Sequence, residues 1–216
     1  MKFDIHKPWY LNHEPIEGIF LLDSFGQTQW NGRKYSYIKD ALQYVWWRTG
    51  LVCIAVQSNG AGYAELQIAA DIAHNFLKER GSITPHFTVI ISMGNDVYGK
   101  ANCNPESIAK GMAEVCNYVF QKNTSIPNLV VFGGSSRVWG YTGKFAETYD
   151  SNVKMVLWYL QNKYDTLAIQ GEGLGALKVT DRIGHVHADA LPTVIRMYAA
   201  WARLAKAMAH NQSSKL

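Results

Sequence analysis

Four short blocks of this 216-residue chain carry side chains that could act together chemically. Asp23-Ser24 follows the apolar run Ile19-Phe20-Leu21-Leu22, and Asn59-Gly60 follows the run Leu51 to Val56. Gly94-Asn95-Asp96 follows Phe87-Thr88-Val89-Ile90-Ile91-Ser92, and a histidine pair, His185-Val186-His187, lies near the C-terminus. A serine hydroxyl becomes a useful nucleophile only with a base in hydrogen-bond reach, and the tetrahedral oxyanion it forms needs donors. The Asn95 amide offers one such donor, and the backbone N–H groups of Ser24 and Gly60 offer two more. Glycine at 60, lacking Cβ, lets the backbone approach a substrate closely. Chemistry of this kind requires no metal and no organic cofactor.

These blocks need a scaffold that brings them to one place, and the rest of the chain reads as one. Short apolar runs of buried-strand type at Ile19–Leu22, Leu51–Val56, Phe87–Ser92, Leu129–Phe132 and Thr166–Ile169 alternate with helical patterns. The helices are expected at Tyr35–Trp47 (ending near Gly50), Tyr63–Arg80 (stopped by Gly81), Pro105 to about Phe120 (capped by Asn104), Phe145–Tyr164, and from Pro192 to about His210. Five strands alternating with helices predict an α/β fold: a three-layer α/β/α sandwich around a five-stranded parallel sheet, doubly wound and flavodoxin-like. One domain is expected over residues 1–216, with an N-terminal extension at 1–15 and a frayed tail at 211–216. Ligands of such sheets bind beyond the carboxyl ends of the strands. Ser24, Gly60 and Asn95 all follow strands, so all three are expected at that edge.

In this order and context the blocks resemble the SGNH hydrolases, also called GDSL-type esterases, over nearly the whole chain. The resemblance implies that Ser24 is the nucleophile, that Gly60 and Asn95 complete the oxyanion hole with the Ser24 N–H, and that a histidine is the general base. Gly94-Asn95-Asp96 is the closest match. In the loop Asn59 to Leu66, Gly62 is an alternative to Gly60. Two positions depart from the family pattern: Leu22 stands where glycine precedes Asp-Ser, and no Asp lies three residues before either histidine. His187 as base puts Gly184 at the position of the orienting acid, whereas His185 puts Arg182 there. His187 has the spacing to the last helix that the family shows, with Asp181, Asp189 or no acid completing the set. The implied activity is hydrolysis of a small acyl or acetyl ester through an acyl-enzyme on Ser24. A Ser-His pair with an intact oxyanion hole would still turn over, more slowly.

Each block also has a plainer reading. Asp-Ser and Asn-Asp are common turn and cap residues, and two histidines without a third ligand do not make a zinc site. Gly171-Glu172-Gly173-Leu174-Gly175 lacks the strand-to-helix context of a dinucleotide loop. Asp71 and His74 read as a solvated pair on a helix, Ser135-Ser136-Arg137 as a loop, and Trp46, Trp47, Tyr118 and Trp158 as core-side aromatics. Cys53, Cys103 and Cys116 are odd in number with no CxxC spacing, and Cys53 reads as a core residue. The formal charge of +4 is spread along the chain without a nucleic-acid-binding pattern, no apolar run is long enough to span a bilayer, and the first residues do not read as a secretory signal. A cytoplasmic protein acting on a small-molecule ester, with no nucleic acid or membrane partner, is the resulting expectation. The competing readings are a non-catalytic SGNH-like binding protein using the same pocket and a flavodoxin-like nucleotide or flavin binder.

Overall fold

The computed structural model describes residues 2–8, 15–23, 27–30, 33–58, 61–81, 85–92, 94–97, 103–122, 128–134, 136, 142–171 and 191–213. The strands are β1 (Phe3–His6), β2 (Gly18–Leu22), β3 (Gln27–Trp30), β4 (Arg33–Ser36), β5 (Cys53–Ser58), β6 (Phe87–Ser92), β7 (Asn128–Phe132) and β8 (Ala168–Gln170). The helices are α1 (Ile38–Thr49), α2 (Tyr63–Glu79), α3 (Pro105–Lys122), α4 (Gly143–Asn162) and α5 (Leu191–Ser213). Six strands form one sheet in the order β1-β5-β2-β6-β7-β8, and β3 pairs with β4 as a separate antiparallel ribbon. The five expected strands are the parallel part of the sheet, and their order is the doubly wound one, with its reversal between β2 and β6.

The strands read as continuous apolar runs because both faces of the sheet are covered. Successive side chains point to opposite faces. Ile19 and Leu21, Ile54 and Val56, Ile90 and Val130 join one core with α2, α3 and α4. Phe20 and Leu22, Cys53 and Ala55, Val89 and Ile91 join the other with α1 and α5. Cys53 lies in this second core, fully buried, and burial pushes its thiol pKa far up; burial likewise takes Cys116 to about 12. Neither is poised to be a thiolate.

The helix ends follow local chemistry. Gly50 closes α1 in the left-handed conformation at φ +72°, its N–H donating to the Trp46 carbonyl at 2.7 Å. The Asn104 side chain accepts from the N–H groups of Glu106 and Ser107 at 3.0 and 3.2 Å, as its capping role requires.

Several features differ from the sequence expectation. Residues 3–6, assigned to an extension, form a sixth, antiparallel strand on β5. As an edge strand half open to solvent, β1 has no apolar run to announce it. Tyr35 lies in β4 and α1 starts three residues later, while α5 continues through Ser213, into the tail expected to fray. Trp46, Trp47 and Trp158 are not core residues: they are 36, 67 and 54% exposed. On α1 the buried stripe is Ile38, Ala41, Leu42 and Val45, and the two tryptophans that follow turn off it. The Trp47 ring is instead partly covered by the Arg48 guanidinium, 5.5 Å from its centroid, and by Tyr44 at 5.7 Å. Asp71 does more than face solvent beside His74, because its carboxylate accepts the Tyr118 hydroxyl at 2.5 Å and ties α2 to α3.

Among the described residues, no helix is long and apolar enough to cross a membrane.

Candidate active site

The register of the sheet determines which loops meet. Leu22 on β2 lies level with Gln57 on β5 and Ile91 on β6, so the three central strands end within one residue of each other. Asp23 therefore emerges between the loops that follow β5 and β6. Its backbone N–H extends the ladder to the Ile91 carbonyl at 3.2 Å, and the residue is fully buried. A buried carboxylate needs donors. The Asn95 amide supplies one, with Nδ2 3.3 Å from Asp23 Oδ2. The same nitrogen donates to the Ala61 carbonyl at 2.9 Å. Asn95 is thus held across the ends of three adjacent strands.

The backbone around Asn95 is built for this placement. Gly94 has φ +98°, and a Cβ there would lie 2.6 Å from the Tyr149 hydroxyl oxygen, so both conformation and space call for glycine. The Val97 N–H donates to the Gly94 carbonyl at 2.9 Å and closes the turn. Asp96 Oδ2 accepts the Tyr63 N–H at 3.0 Å, placing a carboxylate at the N-terminus of α2, where the helix dipole favours it. A Cβ on Gly62 would come within 2.3 Å of Asp96 Oδ1. The Gly62 N–H is already donated to Glu65 Oε2 at 2.9 Å. Gly62 is thereby explained by packing and helix capping.

Two fully buried phenols, Tyr37 and Tyr198, lie on the α1–α5 side of the sheet, with ring centroids 6.3 Å apart. Burial, chiefly, raises both hydroxyl pKa values, and the negative charge of Asp23 raises them further. Both therefore stay protonated beside that carboxylate. On the other side of the edge, two residues that follow β7 are anchored. Ser136, read as a loop residue, is buried; its N–H and hydroxyl donate to Asp150 at 2.7 and 2.6 Å. Gly133, at φ +66°, donates its N–H to the Ser92 carbonyl at 2.8 Å and joins this loop to β6.

Of the residues singled out for chemistry, the structure places Asn95 and its neighbours Asp23, Gly94 and Asp96. Ser24, Gly60, His185 and His187 lie outside the described residues, as do Asp181 and Asp189. Among the described residues no cluster of three His, Cys, Asp or Glu side chains is placed to hold a metal ion. Sequence reasoning missed the clamp between Asp23 and Asn95. These residues are 72 apart in sequence, and only adjacency of β2 and β6 makes them partners.

No family model and no curated protein matches the chain. Solved structures do. The fold is similar to that of a protein described as a GDSL-like lipase from Parabacteroides merdae, at 10% identity and TM-score 0.60 over 91% of this chain and 98% of that one. It is similar to the acetyl xylan esterase AlAXEase at 13% identity and TM-score 0.58, over 87% of this chain and 99% of that one. The acetylxylan esterase Axe2 of Geobacillus stearothermophilus gives 13% identity and TM-score 0.53 over 84% and 91%. At these identities the likeness is one of fold.

Proposed function

We propose that this chain, which has the fold of the SGNH hydrolases, is a serine esterase acting on a small acyl or acetyl ester. The observation that carries the reading is the Asn95 amide, presented at the carboxyl edge of the sheet between Asp23, the residue before Ser24, and Ala61, the residue after Gly60. An oxyanion hole needs its donor held in place before charge develops. Two acceptors engage both Asn95 hydrogens and hold the amide at the edge, so in the proposed role one of these bonds is exchanged for the oxyanion. The 3.3 Å contact to Asp23 is the longer and weaker one, so that hydrogen is the one an oxyanion can share or take over.

In this mechanism Ser24 Oγ attacks the ester carbonyl carbon while His187 accepts the hydroxyl proton. The carbonyl oxygen becomes an oxyanion facing the Ser24 N–H, the Gly60 N–H and Asn95 Nδ2. The C–O bond to the alcohol then breaks, and the alcohol leaves with the proton returned by His187. Water repeats the sequence on the acyl-enzyme, releasing the acid and regenerating Ser24. No step calls for a cofactor.

The direct test is covalent. A fluorophosphonate should label the intact protein, and peptide mapping should find the label on Ser24. An unlabelled protein under conditions that label a control serine hydrolase would favour the non-catalytic binding protein. A second test addresses the donor. Asn95→Ala should lower kcat roughly 10²–10³-fold, about 2.7–4 kcal/mol, with a much smaller change in KM. It should also lower unfolding stability by about 1–3 kcal/mol, because Asp23 loses a donor in a buried place. Steady-state kinetics with a nitrophenyl acetate, paired with chemical denaturation, would separate the two losses.

A further inference from the structure

The two helical layers that cover the sheet differ in charge. Helices α1 and α5 carry five basic residues (Lys39, Arg48, Arg196, Arg203 and Lys206) against one acid, Asp40. Helices α2, α3 and α4 carry five bases against seven acids. Lys206 is paired with Glu17 at 3.2 Å, and the other four bases of α1 and α5 are exposed. Four bases less the one acid leave three net positive charges on this layer. On the edge strand beside α1, Asp4 is paired with Lys2 at 3.3 Å. The residues outside the described set bring four acids (Glu14, Glu172, Asp181 and Asp189) and five bases, so they hold no acidic excess.

The same layer exposes large apolar side chains: Trp46 and Trp47 on α1, and Leu204 on α5. Arg203 donates to the Arg48 carbonyl at 2.8 Å, which sets the Arg203–Leu204 step of α5 beside the Trp47–Arg48 end of α1. Basic and apolar groups thus share one surface. A second copy of the chain would set like charge against like there. For a nucleic acid, the Arg48 guanidinium already lies over the Trp47 ring, where a base would stack, and Leu204 offers nothing to phosphate. An anionic lipid surface suits both kinds of group: its headgroups attract the arginines, and its interfacial zone takes up Trp and Leu side chains.

We infer that the outer face of α1 and α5 docks on a lipid surface bearing anionic headgroups, with Arg48, Arg196 and Arg203 against the headgroups and Trp47 and Leu204 at the acyl boundary. From sequence no membrane partner is expected, because no apolar run spans a bilayer; lying on one requires only a basic, partly apolar face. The inference does not depend on the hydrolase reading. Gly50 leads α1 toward the start of β5, and Lys206 reaches Glu17 just before β2. The docking face therefore extends toward the N-terminal ends of the strands, away from the edge where Asp23 meets Asn95, and leaves that edge open to a soluble ester.

The test is co-sedimentation of the intact protein with vesicles, either of phosphatidylcholine alone or of an equimolar mixture with phosphatidylserine. Each basic residue near such a surface raises affinity about fivefold, so the anionic vesicles should bind about 10²-fold more tightly at low salt. Salt at about 1 M, which shortens the Debye length to about 3 Å, should remove most of that difference. Arg196→Gln should weaken binding about fivefold, and Trp47→Ala severalfold. Lys154→Gln, the same change of charge on the exposed face of α4, should leave it within about twofold. All three positions are exposed, so each variant should unfold at the wild-type midpoint. Equal binding to the two kinds of vesicle, no binding, or as large a loss with Lys154→Gln as with Arg196→Gln would overturn the inference. A single-stranded oligonucleotide that bound more tightly than the anionic vesicles and lost affinity with Arg196→Gln would assign the face to nucleic acid instead.

Discussion

Ser24→Ala should reduce ester turnover to the level of residual binding catalysis, a loss of about 10⁴- to 10⁶-fold in kcat. The size follows from the division of labour at the sheet edge. In the proposed mechanism no acyl-enzyme forms without the hydroxyl, and what would survive is water attacking a carbonyl polarised by Asn95 and the backbone amides. In well-measured serine hydrolases that remainder is roughly 10³–10⁴ over uncatalysed hydrolysis. Stability should change by no more than about 1 kcal/mol, the usual scale of one hydrogen-bonding group lost. The measurement is a burst experiment with nitrophenyl acetate, which counts acyl-enzyme directly. A variant that retained the wild-type burst would mean that another residue is the nucleophile.

If Ser24 and His187 are the proposed nucleophile and base, His187→Ala should cost nearly as much as Ser24→Ala, and the double variant little more than either alone, because such a pair acts as a unit. His185→Ala should stay within about tenfold of wild type, a bound set by the smaller, indirect effect of a neighbour that takes no proton. Added imidazole should restore part of the activity of His187→Ala and none of Ser24→Ala. A larger loss at His185 would reverse the assignment of the base. If an acid such as Asp181 or Asp189 orients the base, its substitution by Asn should lower kcat about 10⁴-fold. If neither substitution does so, the proposed Ser-His pair works without either of these acids.

Much of the scaffold was legible in the sequence because its signals are local. Phe87–Ser92 was delimited correctly because a fully buried strand is apolar along its whole length. Gly50 and Asn104 marked helix ends because capping acts over a few residues. The positions that misled were those where neighbours far away in sequence decide. Nothing in Phe3-Asp4-Ile5-His6 says that β5 has a free edge for it to pair with. Trp47 looks like a core residue by type, but the face that α1 turns to the sheet leaves it outside. The family resemblance lay in the blocks around Ser24, Gly60, Asn95 and His187, and the matching fold supports it without testing those residues.

What the sequence determined alone is the set of chemical groups and their attachment to strand ends: a side-chain amide after β6, a serine after β2, a glycine loop after β5. The tertiary structure decided what those groups do to each other. Placing β2 between β5 and β6 lets Asn95 grip both Asp23 and Ala61. Those contacts join residues 34 and 72 apart in sequence. Hydrogen bonds are formed by proximity, and proximity here is set by strand order, which no local pattern encodes.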